Sequence, residues 1–298
     1  MGALTLGLLA ALCWGVHDLC VRRVSRSAHV PSCLLIVLGT GSVALLGPLA
    51  TREIDIGSLL VPAMAGQVLG AGAAFVLASY SLYRAFAVGP VRLVAPLSAS
   101  YPVLTTAFAA LGGMTISGGQ WLAVIAVIGG IALVASRSPT TSSPATTPAA
   151  ARDGAVELGP ALVPTFAWSL AAAVGFSLTF TLGQAATARL DPVLAMFATR
   201  VTALLVLASL ILLFGAFRRP RPEELAVLVS MGLLDVFALG MVLYAGRLPD
   251  APFASVTASL FGVVTIVLAR VFLAEMMSLR QWLGVGIAFA AIGYLGAG

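Results

Sequence analysis

The sequence predicts an all-α membrane protein whose ten transmembrane helices form two inverted five-helix repeats around a central cavity. Three observations carry that expectation. The 298 residues are 60% hydrophobic and only 9% charged, with a mean hydropathy of +1.07. A soluble domain carries about 25% charged residues, so lipid is the solvent for this chain. Its apolar runs are about 20 residues long and lack period-2 alternation, which suits helices crossing about 30 Å of hydrocarbon and not a barrel. Finally, residues 3–137 and 164–298 fall into register at an offset of 161. Pro31 then meets Pro192, Leu82-Tyr83 meets Leu243-Tyr244, Ser98 meets Ser259, and Gln120-Trp121-Leu122 meets Gln281-Trp282-Leu283. Each copy holds five spans, and an odd number inverts the second copy relative to the first.

The spans are predicted at 3–21, 32–50, 59–83, 91–111, 119–136, 161–186, 193–216, 224–246, 252–272 and 280–297. Before the first there is no basic segment, and Arg22, Arg23 and Arg26 follow it. That order reads as a retained span with its N-terminus outside, not as a cleaved leader. Turn chemistry such as Val88-Gly89-Pro90 separates the spans. Residues 137–158 are rich in Ser, Thr, Pro and Ala and read as a low-complexity cytoplasmic linker. The chain therefore divides into a first repeat (1–136), the linker and a second repeat (159–298).

All sixteen basic residues are arginine. Twelve follow odd-numbered spans: Arg22, Arg23, Arg26, Arg84, Arg92, Arg137, Arg152, Arg218, Arg219, Arg221, Arg270 and Arg280. Arg52, Arg189 and Arg247 follow even-numbered ones, with Arg200 just inside span seven. Positive residues stay cytoplasmic, which puts both termini outside. The net charge of +5 is dispersed among loops, so it does not point to nucleic acid. Three cysteines make no disulfide framework: Cys13 and Cys20 sit about 10 Å apart along one helix, too far to bridge. Nothing calls for a metal or a cofactor.

Asp235 is the most informative residue. It lies near the middle of span eight, where a carboxylate costs about 2.5–3.5 kcal/mol on insertion scales. Either it faces a cavity and binds a cation or a proton, or it is a protonated acid hydrogen-bonded to a neighbouring helix. His17 is a second candidate for proton coupling, because imidazole changes charge near neutrality. His17 and Asp18 point about 100° apart and cannot both face one cavity squarely. Asp18 also stands four residues before Arg22, the spacing of a helical ion pair. Trp14, Tyr80, Tyr83, Tyr101, Trp168 and Tyr244 form an aromatic set that reads as a solute-binding wall or, near span ends, as an interfacial belt. Tyr80 and Tyr83 are three residues apart, hence on one face. Pro96 and Pro102 in span four predict a hinge that frees carbonyls around Leu97 and Ser98. Gly66, Gly70, Gly129 and Gly130 read as helix-packing positions.

The second copy ends in Phe272-Leu273-Ala274-Glu275, then Ser278-Leu279-Arg280-Gln281-Trp282-Leu283-Gly284, then Ala291-Ile292-Gly293. This resembles the EamA-type transporters of the drug/metabolite transporter superfamily, in which a Glu closes the fourth span of a repeat and a Ser…Gln-aromatic-x-Gly segment opens the fifth. The first copy is similar through Tyr83-Arg84-Ala85 and Ala95-Pro96-Leu97-Ser98-Ala99-Ser100-Tyr101-Pro102, but has Met114 for the Glu and Ala123 for the Gly. The resemblance implies a cavity lined by the first, third, fourth, sixth, eighth and ninth helices, with the fifth and tenth peripheral.

The function expected from the repeats and the resemblance is secondary active transport by alternating access at a midplane site. The cargo is a small organic metabolite, an amino acid or a related solute, moved outward, with an organic-cation or multidrug exporter as the alternative. The partners are the solute, the bilayer of a bacterial inner membrane and protons, and a monomer suffices. The expected substrate-binding set is Trp14, His17, Tyr80, Tyr83, Ser98, Tyr101, Trp168, Asp235 and Tyr244; Asp235 and His17 would couple protons. The rival from another class is an intramembrane enzyme acting on a lipid-like substrate. It would need a nucleophile with a base, and the sequence holds no G-x-S-x-G and no H-E-x-x-H.

Overall fold

In hydrocarbon a backbone must bond to itself, and every regular element among the described residues is accordingly helical. The computed structural model describes residues 2–53, 55–111, 115, 117–135, 158–215, 217–248, 251–275 and 277–297. The 137–157 part of the linker, Met114, and the Pro249-Asp250 turn lie outside them.

The first repeat contains α1 (Ala3–Ser27), α2 (Val30–Ala44), α3 (Leu46–Ala50), α4 (Pro62–Val88), α5 (Val91–Ser98), α6 (Tyr101–Leu111) and α7 (Gly118–Ala135). The second contains α8 (Leu158–Thr187), α9 (Pro192–Phe214), α10 (Pro222–Tyr244), α11 (Ala251–Ala258), α12 (Phe261–Phe272) and α13 (Leu279–Ala297). Among the described residues six stretches are long and apolar enough to cross a membrane: Ala3–Ser27, Val30–Ala50, Pro62–Val88, Leu162–Thr187, Pro192–Phe214 and Pro222–Tyr244. Two shorter apolar helical stretches, Gly118–Val134 and Val256–Phe272, lie in further hydrophobic runs. This is a multi-pass membrane protein. α1 outlasts its predicted span and carries Arg22, Arg23 and Arg26 in its final turns; Arg84, Arg92 and Arg270 likewise belong to helices α4, α5 and α12.

Local chemistry starts and stops these helices. Asp191 accepts hydrogen bonds from the N–H groups of Val193 and Leu194, and Pro192 opens α9 behind that cap. Gly215, at φ 59°, closes α9 in the left-handed conformation. The repeated Ser-x-x-Gln motif is a reciprocal capping box. Ser117 N–H donates to Gln120 Oε1 at 2.8 Å while Gln120 N–H donates to Ser117 Oγ at 3.2 Å. Ser278 and Gln281 repeat the arrangement at 3.0 and 3.4 Å at the start of α13. Gln281 Nε2 also donates to Val134 O, tying α13 to the end of α7.

The helices pack in matched pairs. Under the repeat α1 corresponds to α8, α2 to α9, α4 to α10, α5 to α11, α6 to α12 and α7 to α13. α4 packs on α8 as α1 packs on α10, and α4 meets α9 as α10 meets α2. α1 crosses α11 and α12 as α8 crosses α5 and α6, while α7 lies on α13. Each half thus buries its apolar faces mainly against the other half. Among the contacts that require glycine, a Cβ on Gly175 would strike Ala78 of α4, and Gly130 and Gly284 face each other's backbone across α7 and α13. Gly66 and Gly129 meet open space, so the expected packing role falls to Gly130 and to Gly70, which faces Leu182 of α8, and not to them.

The proline expectation needs correction. Span four does break, between α5 and α6, but the second copy breaks at the matching place, between α11 and α12, with no proline there. In both copies i−3 hydrogen bonds tighten the chain at the break: Ser100 N–H to Leu97 O, and Ser259 N–H to Val256 O. Serine hydroxyls then occupy the carbonyls expected to be free. Ser98 Oγ donates toward Val94 O and Ala95 O, Ser100 Oγ to Leu97 O and Ser259 Oγ to Val256 O. The breaks abut, with Gly262 of α12 pressed on Ala95 and Ala99 of the first copy.

Because the capping box is the same at both sites, Ser278→Ala and Ser117→Ala are expected to lower the unfolding free energy of the purified protein by about 0.5–2 kcal/mol each. Denaturant unfolding in detergent measures this, and a loss below 0.3 kcal/mol at both positions would remove the box from the account.

Candidate functional site

A pocket lies where α1, α2 and α4 of the first repeat meet α8, α10 and α12 of the second. Trp14, His17, Asp18, Tyr83, Phe176 and Asp235 are among its lining residues, and all are buried. Its empty space totals about 420 Å³, divided so finely that little more than water fits. One wall is aromatic. The Trp14 ring lies 5.6 Å from Phe180, 6.1 Å from Phe261 and 6.5 Å from Phe176. Tyr101 backs that wall, its ring 4.9 Å from Phe180.

Two buried carboxylates occupy the polar side. Asp235 Oδ1 accepts from the Trp14 indole N–H at 3.0 Å, and its Oδ2 accepts from Arg200 Nη1 at 2.9 Å. Arg200, on α9, is fully buried, with its guanidinium 5.7 Å from the centre of the Phe75 ring. Gly41 of α2 leaves room for it, since a Cβ there would overlap the guanidinium. Asp18 has no such cation. Its Oδ1 lies 3.2 Å from His17 Nδ1. Thr265 Oγ1 lies 3.5 Å from Asp18 Oδ2 but 2.8 Å from Phe261 O, so its single hydrogen serves the helix carbonyl first. His17 Nε2 reaches Tyr83 Oη at 3.4 Å. Were Asp18 ionised and His17 neutral, Asp18, Asp235 and Arg200 together would carry one net negative charge.

Polar ties flank this site toward both helix ends. At one, Arg22 of α1 donates to Phe86 O and Gly89 O past the end of α4, and lies 3.6 Å from Glu275. Glu275 accepts from the first N–H groups of α5, Val91 at 3.2 Å and Arg92 at 3.3 Å. Ala274, at φ 53°, turns the chain so that this carboxylate arrives there. At the other, Arg247 beyond α10 donates to Thr187 O and Leu190 O at the end of α8, and Thr187 Oγ1 donates to Leu243 O.

The family model described as the EamA-like transporter family matches residues 1–136 and 164–296. The chain belongs to the EamA-like transporter family. It is therefore a membrane transporter of small solutes and not an enzyme, which sets aside the intramembrane-enzyme alternative. No curated protein matches it in sequence. A solved structure described only as the crystal structure of a protein superposes with a TM-score of 0.65 at 18% identity, over 97% of this chain and 94% of the other. That likeness shows the fold.

Within this EamA-like transporter, Trp14, His17, Tyr83 and Asp235 of the expected set meet in the pocket, as does Asp18. His17 and Asp18 both line it, contrary to the helical-wheel argument, because the two side chains fold onto one another. The expected Asp18–Arg22 pair is replaced by Arg22–Glu275. Tyr80 and Tyr83 do not share a surface: Tyr80 stacks edge-on against Trp168 at 5.9 Å and faces an apolar groove between α4 and α9. Trp168 carries Arg84 5.8 Å over its ring, and Tyr244 is half exposed. Ser98 spends its hydroxyl on its own helix. Span two lines the pocket through Leu34 and Val37, which the family expectation omitted. Arg200, Phe176, Phe180 and Phe261 were missed. For Arg200 a signal existed, a cation just inside the apolar run 193–216, but it was read for orientation and not for binding.

Removing one partner of a buried ion pair strands the other charge. Asp235→Asn and Arg200→Met are each expected to cost about 3–5 kcal/mol, while Arg200→Met/Asp235→Leu together should be far less damaging. Unfolding of the three variants in detergent tests this. Equal additive losses in the double variant would mean that the pair is not coupled.

Proposed function

We propose that this protein is a secondary active transporter that moves small amine-bearing organic solutes, amino acids and their relatives, outward by alternating access. One observation carries the reading: a buried pocket between the two repeats holds, beside an aromatic wall, a second carboxylate, Asp18, that no arginine pairs among the described residues. A single positive charge completes such a site. Either a proton on His17 or the ammonium group of a solute supplies it, and the two compete, which is the elementary form of proton–solute exchange. Asp18 is the carboxylate that takes part. Asp235 is held by Arg200 and Trp14 and acts as a fixed anchor, in place of the proton-coupling role first expected of it. The ten spans, domain limits and outward-facing termini read from the sequence accompany this proposal.

The faces of Trp14, Phe176, Phe180 and Phe261 favour a second reading, an exporter of larger organic cations held by cation–π attraction. Under either reading the ties at Arg22–Glu275 and Arg247–Thr187 release in turn as the repeats rock. The breaks in spans four and nine give each half a place to bend.

Flux through proteoliposomes containing the purified protein tests the proposal, with amino acids and organic cations supplied with and without a pH gradient. Saturable flux stimulated by the gradient is expected, and Asp18→Asn should abolish the stimulation and lower flux at least about tenfold, the loss of roughly one charge-assisted contact. Unchanged flux and unchanged gradient dependence in both Asp18→Asn and His17→Gln would sink the assignment. Preference for zwitterions or for bulky cations decides between the two cargoes.

A further inference from the structure

A second charged site lies away from the transport pocket, where the turn between α1 and α2 meets the loop between α9 and α10. Arg26, His29, Arg218, Arg219, Arg221 and Glu224 surround a cleft of about 730 Å³. Among the described residues none of the four guanidiniums makes an ion pair. Glu224 does not neutralise them as a partner, because its carboxylate accepts the backbone N–H of Arg221 at 3.2 Å and caps α10. Burial, and then the Arg218 charge, hold the His29 imidazole below its ordinary pKa, so the site repels even a further proton. Four arginines against one glutamate leave a concave positive site whose mutual repulsion no ion pair among the described residues offsets.

Its surroundings say what kind of anion fits. α9 is 23 residues long and so spans about 34 Å, enough to carry Gly215 and the loop after it to headgroup depth. Just before the loop, Leu212, Leu213 and Phe214 are 82, 75 and 73% exposed, the mark of a lipid-facing surface. An apolar groove of about 990 Å³ runs along α4 and α9 between Leu77, Tyr80, Leu210, Ile211 and Phe214, reaching Pro31. Pro31 is two residues from His29, and Phe214 is four from Arg218. The two walls are joined directly, since Arg218 N–H donates to Ser32 Oγ at 3.0 Å. The basic cleft and the apolar groove are therefore close neighbours.

We propose that this cleft binds the phosphate headgroup of an anionic phospholipid, with one acyl chain lying in the groove between α4 and α9. Basic pockets at the ends of spans attract anionic headgroups, each arginine adding to the preference. Lipid held here bridges the first repeat, through α1, α2 and α4, to the second, through α9 and α10. The site is independent of the transport reading and stands or falls separately.

The test uses the full purified chain in detergent, exposed to dioleoylphosphatidylglycerol or dioleoylphosphatidylcholine and then stripped, with retained lipid counted by native mass spectrometry. Preference for the phosphatidylglycerol of at least about tenfold is expected. Arg218→Gln/Arg219→Gln/Arg221→Gln should lose that preference, while Arg52→Gln/Arg189→Gln should keep it. Equal retention of the two lipids by the native chain overturns the proposal without reference to any variant, as does a preference that survives in the triple variant. Should the triple variant not fold, Arg218→Gln alone must reduce the preference. Inorganic phosphate is the third probe: if it displaces phosphatidylglycerol completely and protects the chain from heat equally well, the site takes soluble phosphate and the lipid assignment fails.

Discussion

A polar group in hydrocarbon must find its partner inside the protein, and the Asp235 carboxylate is where that constraint binds the two repeats together. One oxygen takes the indole N–H of Trp14 from the first repeat, and the other takes Arg200 from the second. Neither charge is stable alone at that depth, so α1, α9 and α10 have to assemble around the pair. Gly41 and Phe75 complete the chamber that holds the guanidinium. Once Asp235 is committed in this way, Asp18 is left as the pocket carboxylate that no arginine pairs among the described residues.

The repeats share a scaffold and differ in their chemistry. The capping boxes at Ser117 and Ser278, the breaks in spans four and nine and the paired helix contacts occur twice. The pocket residues occur once. Ala74 stands at the repeat position of Asp235, Gly39 at that of Arg200, and Leu178 and Thr179 at those of His17 and Asp18. Even the aromatic wall is offset. Trp14-Gly15 in α1 answers to Gly175-Phe176 in α8, so ring and glycine exchange places. Gly15 lets α12 close on α1, and Gly175 lets α4 close on α8, while Trp14 and Phe176 come together in the pocket. A two-fold arrangement of helices thereby encloses a site with no two-fold symmetry.

Glu275 illustrates how a family motif acquires a physical meaning. In the sequence it reads as the Glu that closes the fourth span of the second repeat. In the fold it caps the half-helix α5 and faces Arg22, joining α1, α5 and α12 at one end of the pocket. Its counterpart in the first repeat is Met114, so that means of closing an end is not duplicated. Arg247 ties α10 to α8 at the other end by donating to helix-end carbonyls instead.

Hydropathy, run length and the 161-residue register by themselves determined that the chain is helical, membrane-embedded and internally repeated, because these properties follow from local composition and from the demand that backbone groups in lipid bond within their own segment. The same logic located Asp235, since a lone acid in an apolar run is costly wherever it sits. What the acid faces is a different kind of fact. Arg200 lies 35 residues away and Trp14 lies 221 away, and only helix packing brings either to Asp235. Likewise Tyr80 and Tyr83 share a helix face by spacing but belong to different environments, because α4 is wedged among α1, α8 and α9 and its neighbours divide that face. Residue type and period are written along the chain; which polar groups pair with each other was decided by tertiary contacts between segments that no local rule relates.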